Sequence, residues 1–292
     1  MRIAIYGRNL TEEILGPVEE LVKEVEKAGG ECLFFESLFN QVRQKTSIKL
    51  NNRLFASSGE IKNKIDYLLS IGGDGTMLDT VSLVRDTGIP VLGVNTGRLG
   101  FLTGISIEAV SHAVDELSKG HFTLDKRALL RLETNKSIFG EVNFALNELT
   151  IHKKDSSSMI KIHTFLNGEY LTTYWSDGLI VSTPTGSTGY SLSCGGPIVA
   201  PQSENFVITP IAPHNLNVRP MVVSDKNVVS LEVEGRSQFF LASLDSRSVT
   251  IDSAIQFAVH KEDFTFNIIR IDNQNFLTTL RNKLMWGKDL RN

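Results

Sequence analysis

Cysteine is scarce: two residues in 292, Cys32 and Cys194, lie too far apart in sequence to form a zinc spacing or a redox motif. Both read as unpaired small hydrophobes in a reducing compartment. Long apolar runs are missing as well. Nothing approaches the roughly 20 residues of a membrane span, and Met1-Arg2-Ile3-Ala4-Ile5-Tyr6 reads as a strand rather than a signal peptide. A cytoplasmic chain with no membrane partner is expected. Nor is there an excess of charge of one sign: 33 acidic against 30 basic residues leave a formal charge of −3, so no global basic field points to nucleic acid as a partner. The six histidines show no metal-ligand spacing, and no protein metal site is predicted. What is present is an ordinary globular composition, 41% hydrophobic and 22% charged, on a chain long enough for two domains.

The first third alternates strands and helices. Arg2 to Tyr6 reads as a strand. Val18, Leu21, Val22, Val25 and Ala28 recur at helical spacing, with Pro17 suited to a first turn and Gly29-Gly30 as the stop. Cys32 to Phe35 reads as a second strand. From Glu36 to Asp66 the pattern weakens, and a mobile insertion with one short helix is expected. A strand ending at Ser70-Ile71, a helix on Met77, Leu78, Val81 and Val84, and a buried strand over Ile89 to Val94 complete the alternation. This argues for a parallel sheet with helices on both faces. After Asn95, Ser106 is a candidate cap for a helix through Leu117, and residues 121–265 then turn to short runs of Thr, Val, Ile and Phe between turn residues, the pattern of an all-β domain. Phe276, Leu277, Leu280 and Leu284 predict a last amphipathic helix before Gly287.

Two stretches carry candidate chemistry. The first is Gly72-Gly73-Asp74-Gly75-Thr76, between a strand and a helix expected to open at Thr76. Gly72, Gly73, Gly75 and Thr76 offer a backbone that approaches a phosphate closely, with unpaired helix-start amides that favour anions. Asp74 is out of place among such groups, because a carboxylate repels phosphate; it either handles a proton or metal ion, or it caps the helix around a tight turn. The second is the segment 177–197, DGLIVSTPTGSTGYSLSCGGP, dense in hydroxyls and glycines and poor in charge. It offers backbone amides and neutral donors to a polyanion or ribose, with Asp177 available for a hydroxyl or an amide, or else it is a turn-rich corner of the β domain. Asn147-Glu148 follows an apolar strand and is either a base- or ribose-binding pair or a structural one. Residues 209–214, TPIAPH, read as structural.

These segments together resemble the NAD kinases, which phosphorylate NAD to NADP. The resemblance rests on GGDGT at 72–76, GVNTGRLGFLT at 93–103, NE at 147–148, the segment 177–197, and ITPIAPHNLNVRP at 208–220. GGDGT alone is shared in similar form by diacylglycerol and sphingosine kinases, and phosphofructokinases carry a related turn. The segment 177–197 discriminates. The resemblance implies an α/β N-terminal domain with a Rossmann-like, phosphofructokinase-like parallel sheet over residues 1–102, rejoined by 270–292, and a mostly β domain over 103–269 for NAD binding and oligomerisation. It implies Asp74 as general base with Gly75 beside it on the substrate, and Phe101 packing on the dinucleotide. Asn147 and Glu148 would meet a nucleoside half, Asp177 the substrate, and Thr188, Gly189, Tyr190, Ser191, Leu192 and Ser193 the adenine or nicotinamide moieties. ATP and NAD are the implied substrates, a divalent ion, Mg or Mn, comes with ATP, and the chain is a homotetramer or homodimer.

Three departures from the family pattern stand out. Gly189 replaces a common Ala. Leu244-Asp245-Ser246-Arg247 replaces Asp-Gly-Gln, which puts Arg247 where a neutral amide is usual and suggests a bidentate phosphate grip. Trp175 replaces a frequent cation and can stack on a base. The rivals are a lipid kinase of the same superfamily, with an apolar acceptor groove, and a non-catalytic NAD(H)-binding sensor that needs no base at Asp74.

Overall fold

A computed structural model describes residues 1–8, 11–45, 53–97, 100–154, 158–272 and 275–285, apart from the side chains of Glu13 and Lys45. The chain divides into two compact units, Met1–Lys126 with Phe266–Asn292, and Arg127–Thr265. The division falls later than the sequence suggested. Residues 103–126, expected in the second domain, belong to the first.

The first unit begins β1 (Arg2–Gly7), α1 (Glu12–Lys27), β2 (Glu31–Phe35), α2 (Glu36–Lys45), β3 (Leu54–Phe55), α3 (Ser58–Ile61), β4 (Tyr67–Ile71), α4 (Asp74–Val84), β5 (Val91–Asn95), β6 (Ile105–Ser106) and α5 (Val110–Lys119). Its sheet is parallel in the order β5-β4-β1-β2-β3, with Ile5 beside Leu69 and Leu69 beside Leu92. Successive side chains of a strand point to opposite faces. Ile3 and Ile5 therefore enter one core with Val18, Leu21 and Val25 of α1 and Val110, Ala113 and Val114 of α5, while α4 packs on β4 and β5 with Met77, Val81 and Val84 buried.

Several local expectations need correction. Pro17 lies inside α1, which starts five residues earlier at Glu12, so it is not a first-turn proline. Ala28 is the exposed C-terminal cap of that helix rather than part of its buried face. The stretch after Phe35 holds two helices where one short helix was expected: α2 is a ten-residue helix burying Leu38, Phe39 and Val42, and α3 is a second short helix. Residues 46–52 of the expected insertion lie outside the described residues. Ser106 precedes a 3-10 turn over Ile107–Ala109 and makes no side-chain cap.

The second unit holds β7 (Thr123–Thr134, its first residues counted with the first unit), β8 (Phe144–Ala145), β9 (Glu148–Lys153), β10 (Ile160–Leu166), β11 (Glu169–Ser176), β12 (Gly178–Ser182), α6 (Tyr190–Ser193), β13 (Asn205–Ile211), β14 (Met221–Ser224), β15 (Val229–Glu234), β16 (Phe239–Leu244), β17 (Arg247–Asp252) and β18 (Gln256–Arg270, its last residues counted with the first unit). Two antiparallel layers result, β14-β13-β12-β9-β16-β17 and β11-β10-β15-β18. Between them lies a core that includes Ile151, Val181, Phe206 and Phe240 from the first layer and Ile162, Leu231, Phe257 and Val259 from the second. Strands β15 and β16 alternate inward apolar with outward residues, as the sheet pleat requires, while the central strands β12 and β13 are buried almost throughout. The last element among the described residues is α7 (Phe276–Leu284), in the first unit.

Candidate functional site

In the first unit the glycine turn caps the carboxyl end of β4. Gly72 has φ +150°, and a Cβ there would lie 2.3 Å from Thr76 Oγ1. Glycine is needed at this position because Thr76 folds back over it. Gly73 is the N-cap of α4, and Gly75 faces open space. The helix thus opens at Asp74 rather than at Thr76, with Gly73 and Gly75 exposed at its start and the Thr76 amide already donated to Gly73 O at 3.0 Å.

The Asp74 carboxylate does not cap its own helix. It reaches the loop after β5, where Oδ2 accepts from Phe101 N–H at 2.8 Å and Oδ1 from Leu102 N–H at 3.0 Å and Thr103 N–H at 3.2 Å. Gly100 makes room for it, since a Cβ at 100 would sit 1.8 Å from Oδ1. Arg270 holds the same loop from its carbonyl side, 3.4 Å from the oxygens of Phe101 and Leu102, and pairs with Asp125. Even so seated, the Asp74 side chain keeps 29% of its surface exposed. Lys283 of α7 lies 3.5 Å from Oδ2, with its ammonium 4.8 Å from the centre of the Phe101 ring, and Phe276 packs on that ring at 6.2 Å. Arg98 and Leu99 of the expected 93–103 motif lie outside the described residues.

At the end of β1, Arg8 forks onto Asp79 of α4, which also accepts from Tyr6 OH at 3.0 Å. Burial, then the Asp79 charge, pushes the Tyr6 hydroxyl up to about 12. This arrangement holds β1 against the helix that starts at the glycine turn.

In the second unit Leu146, Asn147 and Glu148 donate three consecutive amides to Asp245, at 2.8, 2.8 and 3.2 Å. Asp245 sits in the β16–β17 turn with φ +51°. By surface area it is half-buried, while its carboxylate is densely surrounded; burial pushes the acid up, against the downward pull of the three amides and Arg247. Among the described residues, two buried oxygens beside this clasp find no hydrogen-bond partner, Asn147 Oδ1 and Glu148 Oε2. Burial first and the Asp245 charge second push Glu148 up to about 8. Buried polar atoms are nearly always paired, so these two oxygens call for a polar partner, whether water or a ligand.

The segment 183–196 lies against that pair. A Cβ on Gly186 would come within 2.2 Å of Asn147 O, so the close approach requires glycine. Gly189 is different: a Cβ there would meet Gly186 O at 3.2 Å and Glu148 Oε2 at 3.4 Å, a tight fit for the alanine of the family pattern. Several hydroxyls are internal struts. Ser191 bonds Thr209 at 2.8 Å, Ser187 bonds Pro184 O and Val199 N, and Thr188 Oγ1 donates to Thr185 O at 3.2 Å. The Ser191 hydroxyl is thus engaged inside the fold, while Tyr190, Ser193 and half-exposed Leu192 form the rim of the loop.

Asp177 pairs with Lys153 at 2.6 Å. Trp175 is 42% exposed, with Lys161 Nζ 5.3 Å from its ring centre, and lines a groove of about 650 Å³ with Lys153, Lys161 and Arg236. The phosphate grip expected of Arg247 meets a guanidinium already engaged: it donates to the carbonyls of Val142 and Phe144, the latter at 2.5 Å, and faces the Phe139 ring. Here Arg247 ties strands together.

Known proteins match both units. The family model for the ATP-NAD kinase N-terminal domain matches residues 8–122, and that for the ATP-NAD kinase C-terminal domain matches residues 146–271. An NAD kinase of Cytophaga hutchinsonii is 47% identical over 292 residues, covering 100% of each chain. The chain belongs to the NAD kinase family. An NAD kinase of Flavobacterium johnsoniae is 44% identical, again over 100% of both chains. Among solved structures, an NAD kinase from Archaeoglobus fulgidus in complex with ATP superposes with a TM-score of 0.76 at 26% identity, covering 98% of this chain and 99% of that one. A yeast NADH kinase complexed with NADH has a TM-score of 0.89 over 99% of this chain and 89% of that one; at 23% identity it shows the fold alone.

As an NAD kinase family member the chain is a phosphotransferase with the two-domain fold expected from the sequence. The structure brings Asp74, Phe101 and the glycine turn together in one unit, and Asn147, Glu148 and Gly189 in the other. Sequence reasoning missed Lys283, Arg270, Asp79 and the clasp by Asp245. No local pattern announces any of them, since each meets its partner across the fold.

Proposed function

We propose that the chain transfers the γ-phosphoryl group of ATP to the 2′-hydroxyl of the adenosine ribose of NAD, with Asp74 as the base. The observation that carries this reading is the seating of Asp74: three loop amides fix its carboxylate away from its own helix and still leave it accessible. Amide bonds orient an oxygen and keep it an acceptor, as proton removal demands. The 2′-oxygen forms a bond to the γ-phosphorus as the bond from that phosphorus to the β–γ bridging oxygen breaks; the hydroxyl proton passes to Asp74 and the electron pair leaves on ADP. The amides at the start of α4 and the bare backbone of Gly73 and Gly75 receive the phosphates.

No group of three or more metal-ligating side chains occurs among the described residues, and the Asp74 oxygens already hold three amides. In this reading a divalent ion, Mg or Mn, enters as part of the metal–ATP substrate, which suits an ion that retains several waters. Asn147 Oδ1 and Glu148 Oε2 serve the nucleoside half. At neutral pH Glu148 retains its proton and can donate to a ribose or amide oxygen. Asp177 orients the substrate from the rim, Trp175 offers its exposed ring to a base, and Thr188 to Ser193 supply backbone more than hydroxyls.

Asp74→Asn keeps shape and one acceptor but cannot take a proton at neutral pH. It should lower kcat by about 10²–10⁴-fold with NAD binding intact. A purified, folded variant that formed NADP at near wild-type rate would overturn the assignment, and recovery by raised Mn²⁺ would move Asp74 to a metal-binding role.

The proposed setting is a cytoplasmic homodimer or homotetramer. Edge strand β14 exposes Met221 and Val222, and Phe239 lies exposed at the start of β16, the kind of apolar margin a second copy covers. Light scattering should give a multiple of 32.3 kDa at micromolar concentration, and the monomer mass would rule the assembly out.

A further inference from the structure

We infer that Lys283 is the cation that meets the transferred phosphoryl group, held beside Asp74 until the nucleotide arrives. The inference rests on the reading of Asp74 as base and adds a residue from the far end of the chain, 209 positions away. Phosphoryl transfer gathers negative charge on the nucleotide at the spot where the base must also be negative. Helix-start amides offset part of that charge, and a nearby mobile cation offsets far more.

Among the described residues, other cations near the turn already have partners. Arg8 is forked onto Asp79, and Arg270 is paired with Asp125 and set against loop carbonyls. Lys283 is held more loosely. Its ammonium lies 3.5 Å from Asp74 Oδ2, long for a charge-assisted bond, with the side chain 38% exposed and the Phe101 ring on its flank at 4.8 Å. An ammonium on a flexible four-carbon stem, guided by a ring face, can swing from a carboxylate to a phosphate without moving its backbone.

The helix that carries it has the matching construction. Asn275 caps α7 by accepting from Thr278 N–H at 2.9 Å, Leu280 is the buried anchor, and Phe276 rests on Phe101. The first turn of α7 is thereby fixed against the loop that seats Asp74, and Lys283 extends from the last turn. Its role is to neutralise charge on the γ-phosphoryl oxygens and to release Asp74 for the ribose hydroxyl as it does so. Lys283 holds its own proton throughout; the hydroxyl proton still goes to Asp74.

The test is steady-state kinetics with MgATP and NAD on the full chain carrying Lys283→Met, Lys283→Gln, Lys283→Arg or Asp74→Asn, alongside thermal unfolding and titration with a non-hydrolysable ATP analogue. Loss of one transition-state donor typically costs about 10²–10³-fold, so Lys283→Met and Lys283→Gln should lose kcat on that order and bind the analogue more weakly. Their KM for NAD should stay within threefold and their Tm near wild type. Lys283→Arg should recover most of the rate. The proposal is overturned if Lys283→Met or Lys283→Gln keeps kcat and KM for ATP within threefold of wild type, if either raises kcat, the mark of an inhibitory latch, or if Lys283→Arg fails along with them while Tm falls. Asp74→Asn separates the two claims. An active Asp74→Asn removes the base assignment whatever Lys283 does, whereas an inactive Asp74→Asn beside an unaffected Lys283→Met removes the lysine alone.

Discussion

Asp74 in one unit and Asp245 in the other perform the same local act. Each carboxylate accepts three consecutive amides of a distant loop, residues 101–103 in one case and 146–148 in the other. The clasp orders the loop in both. What differs is the surroundings. Asp245 is crowded on all sides and stands in a hairpin turn beside Arg247, while Asp74 keeps an open flank and a lysine at 3.5 Å. The hydrogen-bond pattern is enough to fix a loop, whereas the chemistry proposed for Asp74 needs the open flank as well.

The comparison breaks most directly through stability. Asp245→Ala strands three amides in a crowded site, and each unmet donor costs about 1–3 kcal/mol, so unfolding in urea should show a loss of about 3 kcal/mol or more. Asp74→Ala opens its amides to water and should lose less than half as much. Equal losses would mean that the two clasps are equally structural.

The adjacent acid sharpens the contrast through pH. Glu148 is raised in the fold to about 8, so between its unfolded value near 4.5 and pH 8 the folded chain binds more protons than the unfolded one. Stability should therefore be highest below about pH 4.5 as far as this group is concerned, fall as pH rises to 8, and level off above. Glu148→Gln should remove that slope and gain on the order of 4 kcal/mol relative to wild type at pH 8, read from denaturation series at several pH values. An unchanged slope would assign the pH dependence elsewhere.

The smallest effect concerns the seat of Asp74. A methyl group at Gly100 would overlap Oδ1, so Gly100→Ala should displace the carboxylate and lower kcat about tenfold with little change in Tm. A wild-type rate would show that the seat tolerates movement the base assignment forbids.

Much of the fold was legible. Strands β1, β2, β4 and β5 announce themselves as apolar runs beside glycine, while the two-residue β3 and β6 do not, and the alternation of strand and helix specifies a parallel sheet. Between Glu36 and Asp66 one short helix was expected and two are present; the buried face of α2 was not legible because Leu38, Phe39 and Val42 form a narrow stripe among Ser, Asn, Gln and Arg, which reads as polar until a core lies beneath it. The division at 126 was placed 24 residues early because α5 packs back on α1, with Ser111 bonded to Glu20, and a change in composition does not report packing. At the site, Asp74 stood out as an acid among glycines. Its partners 27 to 29 positions on, and Lys283 far beyond, carry no local signature. The partners of Arg247 were illegible for another reason: a guanidinium suits phosphate and backbone carbonyls equally, and the sequence alone does not say that this one donates to the carbonyls of Val142 and Phe144.

Trp175 has a spectroscopic consequence. The chain contains two tryptophans, and Trp286→Phe would leave the indole at 175 as the single emitter. That ring is 42% exposed, with an ammonium 5.3 Å from its centre and the His214 imidazole at 6.2 Å, so its emission senses both the water and the charge around it. A ligand entering the groove that displaces Lys161 or covers the ring would change the colour and intensity of that fluorescence. The second unit thereby carries its own optical gauge of occupancy, usable without any label.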